Sequence, residues 1–339
     1  MKKIKVEKAV GQRLGHDITG IIPGKSKGPV FKRGHVIRKE DIPKFHRLGK
    51  QHVWMEDPEQ NEIHEEEAAI RIARAVAGSG LISYQPREGK VELKAKIKGV
   101  LKVKVELLTM INAMGDLVLV TLHNNRLCEP GEVVAGTRMI PLFIAEEKID
   151  QVETLCQQQG EVLELLYLEK KKVGIVITGT EVYEGLIEDA FAGVIRQKVE
   201  ALGSQIIKKV VVPDDVKQIA DGINTVYSGG SEVILVCGGM SVDADDVTPE
   251  GIMASGARVI FKGVPILPGS MFLYSLWNDV PVLGVPACVI HDPITILDLV
   301  LPRILAGDVL SKDEIAGMGH GGLCMKCDRC LFPVCPFGK

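Results

Sequence analysis

The chain has 339 residues, with 41 lysines and arginines against 44 aspartates and glutamates, a formal net charge of −3 at pH 7 with histidine neutral. Single cores usually stop growing by about 250 residues, so more than one domain is expected. The near-neutral balance and scarce aromatics exclude a disordered polyelectrolyte and give no support, as totals, to a polyanion-binding surface.

The amino terminus, MKKIKVEKAV, is charged and alternating with no apolar signal core behind it. No stretch approaches the ~18 unbroken apolar residues of a membrane span, so a soluble, cytoplasmic protein without a membrane partner is expected. From Lys25 to His52 basic residues dominate, with Lys25, Lys27, Lys32, Arg33, Arg38 and Lys39 set among Gly-centred turns, and the sign reverses from Glu56 to Glu67. Residues 1–62 therefore read as a small basic strand-and-turn module, a solvated face more than a ligand site. Aromatic interleaving is absent, which argues against nucleic acid as a partner. Neither His16 nor His35 has a cysteine or histidine companion at metal-ligand spacing.

Residues 63–170 read as a helix followed by a β-containing unit. IHEEEAAIRIARAVAG has the pattern of one amphipathic helix stopped at Gly78, with Ile63, Ile70, Ala73 and Ala77 on one face and its acids crowding the first turn. Strand alternation runs through VELKAKIKG and LKVKVEL, and LVLVTLHN is a more buried run. PGEVVAGTRMIPLFI adds β-like sequence, EEKIDQVETLCQQQG a helix, and EVLELLYL another strand.

From residue 171 to about 310 short Val/Ile-rich runs alternate with helical patterns. The strands are VGIVIT, IIKKVVV, EVILVC, ARVIFKG and PVLGV, and the helices lie over 188–202, 216–227, 248–255 and 293–305. Strands that apolar, alternating with helices, predict an α/β domain whose mainly parallel sheet is covered on both faces, a three-layer arrangement. Ligands of such sheets bind at the carboxyl ends of the strands.

Four loops follow these strands: TGTEVYEG (178–185), CGGMSVDADD after EVILV, GVPILPGS (263–270) and GVPACVIHD (284–292). Gly238 and Gly239 let backbone amides approach a phosphate or a heterocycle where Cβ atoms would collide. Asp243, Asp245 and Asp246 next to that phosphate would repel one another unless Mg²⁺ intervened, and magnesium takes one or two carboxylates with phosphate oxygens and waters. In the simplest local reading Thr248 is a helix N-cap and Pro249 the first helical residue.

TGTE, GGMSVDADDVT, LPGS and GVPACV, in this order and rough spacing, resemble the domain shared by molybdopterin adenylyltransferases and molybdopterin molybdotransferases. The resemblance covers residues 171 to about 310. It implies a domain that holds the phosphate and pterin of molybdopterin, or of the molybdenum cofactor, with Mg²⁺ and an ATP or AMP moiety in the nucleotide-dependent steps. Glu181, Gly238, Gly239, Ser241, Asp246, Pro268 and Gly269 match the family pattern. Under this reading Gly179, Gly238 and Gly239 cradle, Thr178 and Ser241 hydrogen-bond, Thr248 positions its loop, and Glu181, Asp246 and Asp243 hold the metal and carry turnover. Pro268, Gly269, Ser270, Pro286 and Cys288 complete the cofactor side, with the Cys288 sulfur a candidate donor to molybdenum. The chain departs from the pattern at Thr180, where the family has Asp; at Ser270-Met271, where it has Lys-Pro; and at Val285 to Val289, where it has Leu-Pro-Gly-Asn-Pro. Binding is thus expected ahead of molybdotransferase turnover. Two other readings are a cofactor carrier or redox-sensing partner of a molybdoenzyme client, and a nucleotide or pyridine-nucleotide hydrolase of the competence-damage-inducible type. Relatives assemble as dimers or trimers, which implies a homo-oligomer.

Residues 311–339 form a linker and a cysteine-rich tail. Cys128, Cys156, Cys237 and Cys288 are scattered, but Cys324, Cys327, Cys330 and Cys335 stand at spacings x2, x2 and x4, followed by Pro336. Thiolates so dense need a cation between them, and the run lies close to a bacterial ferredoxin pattern while equally suiting tetrahedral zinc. An Fe–S cluster or Zn²⁺ is expected there, with GMGHGG (317–322) as a flexible connection and His320 within reach as a substitute ligand.

Overall fold

The computed structural model describes residues 3–22, 26–55, 61–87 and 89–338, with the backbone alone at 21, 22, 26 and 27. The expectation for Lys25, the side chain of Lys27 and the first part of the acidic run, residues 56–60, lies outside the described residues. Two compact units emerge: Met1–Lys94 with Val103–Leu122 and Gly131–Glu164, and Leu165–Lys339 with Ala95–Lys102 and His123–Pro130. Among the described residues no helix is long and apolar enough to cross a membrane.

In the first unit Lys3–Lys5 pairs antiparallel with His52–Trp54, and Ile18–Ile22 with Ser26–Phe31. Their small core holds Val6, Leu14, Ile37 and Phe45, with Phe31 stacked on Phe45 at 4.3 Å between ring centroids. His35 is occupied by Asp41 at 2.8 Å. The helix expected near residue 63 runs from Glu65 to Val76 and buries Ala68, Ala69, Ile72, Ala73 and Val76. The face anticipated from Ile63, Ile70, Ala73 and Ala77 is therefore displaced. Ile63 belongs to a strand paired with Ile144, and Ala77 is already extended, so neither end follows the helical period. LKVKVEL is a strand only to Val103; Val105–Ala113 is a helix that buries Leu107 and Ile111, four residues apart. Arg71 joins Glu65–Val76 to the helix Glu146–Gln159 through Glu146, Asp150 and Glu153 at 2.6–2.9 Å.

The second unit carries the predicted α/β sheet. Its strands are β1 (Lys172–Thr178), β2 (Gln205–Val212), β3 (Val233–Cys237), β4 (Arg258–Lys262), β5 (Leu273–Trp277) and β6 (Val280–Val285), in the spatial order β2-β1-β3-β6-β5-β4. β2, β1, β3 and β6 are mutually parallel, and β5 runs antiparallel to both neighbours. β5, LYSLW, is absent from the expected strands because it lies only two residues from β6, joined by Asn278 and Asp279 at positive φ. Asparagine and aspartate tolerate that hairpin geometry, and no glycine marks it in the sequence.

Alternation along the strands builds three layers. Val173, Ile175 and Ile177 of β1, with Val233, Leu235 and Cys237 of β3, pack against α1 (Phe191–Ala201) and α4 (Ile296–Leu305). Val176, Ile234 and Val236 face α2 (Val216–Ser228) and α3 (Thr248–Ala254). Thr248 is the first residue of α3 and Val247 its cap residue, not Thr248 itself. The threonine hydroxyl is drawn inward to another threonine and has left the capping position.

Arg303, 1% exposed, anchors the carboxyl end of α4 through Asp308 at 2.6 Å and Glu314 at 3.0 Å, and Lys102 reaches the same Asp308 at 2.9 Å. In the 317–322 stretch, residues 317 and 319–321 are exposed and Gly322 is buried. Leu267 N donates to Gly322 O, and Phe337 is buried in the main core.

Candidate functional site

Each parallel strand of the second unit ends at the same edge of the sheet. Thr178 pairs with Val212, Cys237 with Ile177 and Val285, and Lys262 with Leu273. The loops that open with Gly179, Pro213, Gly238, Gly263 and Pro286 therefore share one rim. Its centre is the boundary between β1 and β3, because β1 leads away to β2 on one side while β3 leads toward β4, β5 and β6 on the other. Such a reversal of strand order opens a crevice, and ligands of open α/β sheets bind there.

Gly238 lies at the meeting of three loops. Its amide donates to Val285 O at 3.4 Å, and a Cβ added to it would stand 2.5 Å from Thr178 O and 2.8 Å from Thr178 Oγ1. Its φ of +103° belongs to glycine territory. At Gly239 a Cβ would meet Thr248 Oγ1 at 2.5 Å. The two glycines were expected to make room for a ligand; the contacts that forbid a side chain here come from the protein's own rim. Thr248 Oγ1 donates to Thr178 Oγ1 at 3.0 Å, and Thr178 Oγ1 donates to Cys237 O at 3.3 Å. Both threonines are buried, so their hydroxyls knit β1, β3 and α3 together.

The outer parts of the loops are open. Thr180 and Glu181 are exposed in the helical turn Thr180–Tyr183, and Ser241, Asp243 and Asp245 are exposed in the loop after β3. Asp246 closes that loop by accepting Ser241 N at 2.9 Å, which commits one carboxylate oxygen. Among the described residues no three His, Cys, Asp or Glu side chains are gathered to hold a metal ion.

Asp214, half-buried at the end of β2, was not singled out from the sequence. Its Oδ2 accepts Thr180 N at 2.8 Å and Thr180 Oγ1 at 3.2 Å, and its Oδ1 is 3.4 Å from the Cβ position of Gly239. A carboxylate thus lies beside the position where Thr180 replaces the family's aspartate. The signal was VVVPDDV, in which Asp215 serves as the cap of α2 and Asp214 remains free for the rim. Asp189, ahead of α1, is pushed up by burial, but the amides of Ala192 and Phe191 and the ammonium of Lys209 outweigh this and hold its carboxyl below the ordinary range.

Pro268 and Gly269 are buried against the start of α4, where Pro268 O accepts Ile296 N at 3.3 Å. Ser270 is half-buried and Pro286 buried. Cys288 is half-buried beside Asp292, whose amide donates to Cys288 O at 2.8 Å, and burial raises its thiol pKa. A cavity of about 650 Å³ lies far from these residues in sequence, in the first unit, lined by Asp17, Lys32, Glu66, Tyr84, Arg87 and Lys94 among others. Its wall mixes charges of both signs, so size alone does not make it the site.

With this geometry in view, residues 174–306 match a family described as probable molybdopterin binding domain, and the resemblance carried by the four motifs holds for that stretch. Residues 3–57 match a domain of unknown function, DUF8806. The chain is 27% identical over 144 residues to a molybdopterin molybdenumtransferase of Synechococcus elongatus, a match spanning 40% of this chain and 36% of that protein. It is 34% identical over 86 residues to a CinA-like protein of Pseudothermotoga lettingae, covering 25% of this chain and 21% of the other. The chain thus spans well under half the length of these relatives. Similar solved structures include a molybdopterin biosynthesis moea protein from Pyrococcus horikosii, with TM-score 0.35, 14% identity, and coverage of 90% of this chain and 74% of that one. The tungsten cofactor synthesizing protein MoaB from Pyrococcus furiosus aligns with TM-score 0.33 and 16% identity over 41% of this chain and 96% of its own.

Proposed function

We propose that the second unit binds molybdopterin at the β1/β3 rim and that the protein serves molybdenum cofactor biosynthesis in the cytoplasm, in metal insertion or delivery. The observation that carries this reading is the gathering of the predicted loops on one sheet edge, with Gly238 where three of them meet. The family match over residues 174–306 supports it.

In this reading the backbone around Gly179, Gly238 and Gly239 and the exposed Ser241 take the phosphate and pterin, with Pro268, Gly269, Ser270 and Pro286 forming the far wall. Thr178 and Thr248 act as braces. Mg²⁺ would be held by Asp246 and Glu181, with Asp243 nearby, and would supply charge neutralisation between carboxylates and phosphate. The residues fit such a site: Asp246 keeps one oxygen uncommitted, and magnesium needs only one or two carboxylates when phosphate and water complete its shell. Asp214 adds a carboxylate that the motif comparison lacked. The lysine absent at Ser270 favours retention of cofactor over nucleotide-dependent turnover. A homo-oligomer and a molybdoenzyme client belong to the same reading; light scattering on the purified chain checks the first.

Incubation with molybdopterin, ATP, Mg²⁺ and molybdate tests the proposal. Metallated cofactor supports molybdotransferase activity, and retained cofactor without turnover supports a carrier. Nucleotide hydrolysis without cofactor binding overturns the proposal in favour of the hydrolase reading, which the CinA-like relatives favour. Asp246→Asn is expected to weaken Mg²⁺-dependent steps at least tenfold while changing cofactor retention less than twofold, and equal losses contradict the metal role.

A further inference from the structure

The tail is fastened to two of the rim loops. Leu267 and Leu323 form a parallel bridge, in which Leu267 N donates to Gly322 O and Cys324 N donates to Leu267 O, each at 2.8 Å. The approach is close enough that a Cβ on Gly322 would stand 2.3 Å from Pro265 O. Beyond this bridge Lys326 pairs with Asp292 at 3.2 Å, at the end of the Gly284–Asp292 loop. The far end of the tail is anchored too: Phe337 is buried in the main core, and Gly338 N donates to Gly321 O at 3.0 Å.

The cysteines divide along the same line. Cys324 and Cys335, at the two anchored ends, are half-buried against the core, and Cys327 and Cys330, on the segment between, are exposed. Among the described residues no three of these thiols are placed together to hold an ion. Because the stems are held together by the fold, only the intervening segment must close around an ion, which lowers the entropy cost of assembling four ligands. Leu323, Met325, Leu331 and Val334 are 55–73% exposed, so these apolar side chains of the tail stay outside the core.

We infer that Cys324, Cys327, Cys330 and Cys335 form a thiolate metal site built onto the rim, and that filling it fixes the loops Gly263–Ser270 and Gly284–Asp292. On binding, the thiols release their protons to solvent as the metal–sulfur bonds form, so affinity rises with pH. Zinc and an iron–sulfur cluster share this ligand chemistry. Only the consequence for cofactor affinity rests on the molybdopterin reading; the site and its hold on the loops do not.

The test is hydrogen exchange on the full chain, reduced and metal-free, then loaded in two anaerobic arms: Zn²⁺ alone, and Fe³⁺ with sulfide and excess dithiothreitol, which supplies the electrons that bring the iron to the mixed-valence level. Metal analysis and visible absorption identify which arm fills the thiols. The expected result is one site per chain, lost in Cys327→Ser/Cys330→Ser, with exchange slowed about tenfold or more in peptides spanning 263–272 and 284–292. Because both substituted thiols are exposed, this variant should keep its fold and its unloaded exchange pattern. Lys326→Ala should retain the metal and lose protection at 284–292 only. Protection confined to 323–336 overturns the coupling. Failure of the thiols to take metal in either arm overturns the site. Neither failure touches molybdopterin binding, which the preceding assay reads separately.

Discussion

Gly238→Ala probes whether the rim is held by the close approach of three loops. The new methyl would stand 2.5 Å from Thr178 O and 2.8 Å from Thr178 Oγ1, and β1, which carries both atoms, is paired on both edges. Forcing a methyl into packed structure costs typically 1–3 kcal/mol. A φ of +103° adds strain of about 1–3 kcal/mol for a residue with a Cβ. Together these predict a loss of roughly 2–6 kcal/mol in the second unit. Urea unfolding read at Trp277, with Trp54 changed to phenylalanine so that each unit reports separately, measures it. Gly193→Ala is the internal control. It sits in α1 with open space at its Cβ position and should stabilise by about 0.5–1 kcal/mol. If Gly238→Ala falls within about 0.5 kcal/mol of the parent, the ordinary range for an uninvolved surface site, the close-approach argument is wrong.

Arg303→Ala should destabilise the second unit by about 1.5–3 kcal/mol, because it removes the fully buried arm that joins Asp308 to Glu314 and leaves Asp308 to Lys102 alone, and Arg303→Lys should recover only part of this. Urea midpoints of the pair check both. In the first unit the hydrogen bonds from Arg71 hold the Glu153 carboxyl below the ordinary glutamate range. A depressed folded pKa gives stability that is present above the unfolded value and lost as pH falls through the folded one. Stability monitored at Trp54 should therefore fall as acid is added below the ordinary glutamate range, and Arg71→Gln should lower stability at neutral pH while flattening that acid slope. An unchanged slope would contradict the assignment.

The α/β unit was legible because buried parallel strands need continuous Val and Ile, as in VGIVIT and EVILVC, and because their loops expose glycine and aspartate. β5 was hidden by a hairpin turn that uses Asn278 and Asp279 without glycine. The role of Gly238 was legible as a need for bare backbone, but composition cannot say which atoms crowd it; the neighbours proved to be Thr178 and Val285, far away in sequence. Asp214 went unnoticed because Asp215 beside it gave a sufficient local explanation as a helix cap. Leu107 and Ile111 show the opposite difficulty: a strand-like alternation ran into a helical period without a Gly or Pro to mark the change. The tail's cysteine spacing was plain, whereas its seat on Leu267 depends on a backbone bridge that leaves no mark on residue type.

Crystals of the chain grown with molybdopterin test the central proposal most directly. The pterin phosphate should sit against the amides around Gly179 and Gly239, with the ring system extending toward Gly269 and Pro286. Density for the ligand in the cavity of the first unit, with the β1/β3 rim empty, would contradict it.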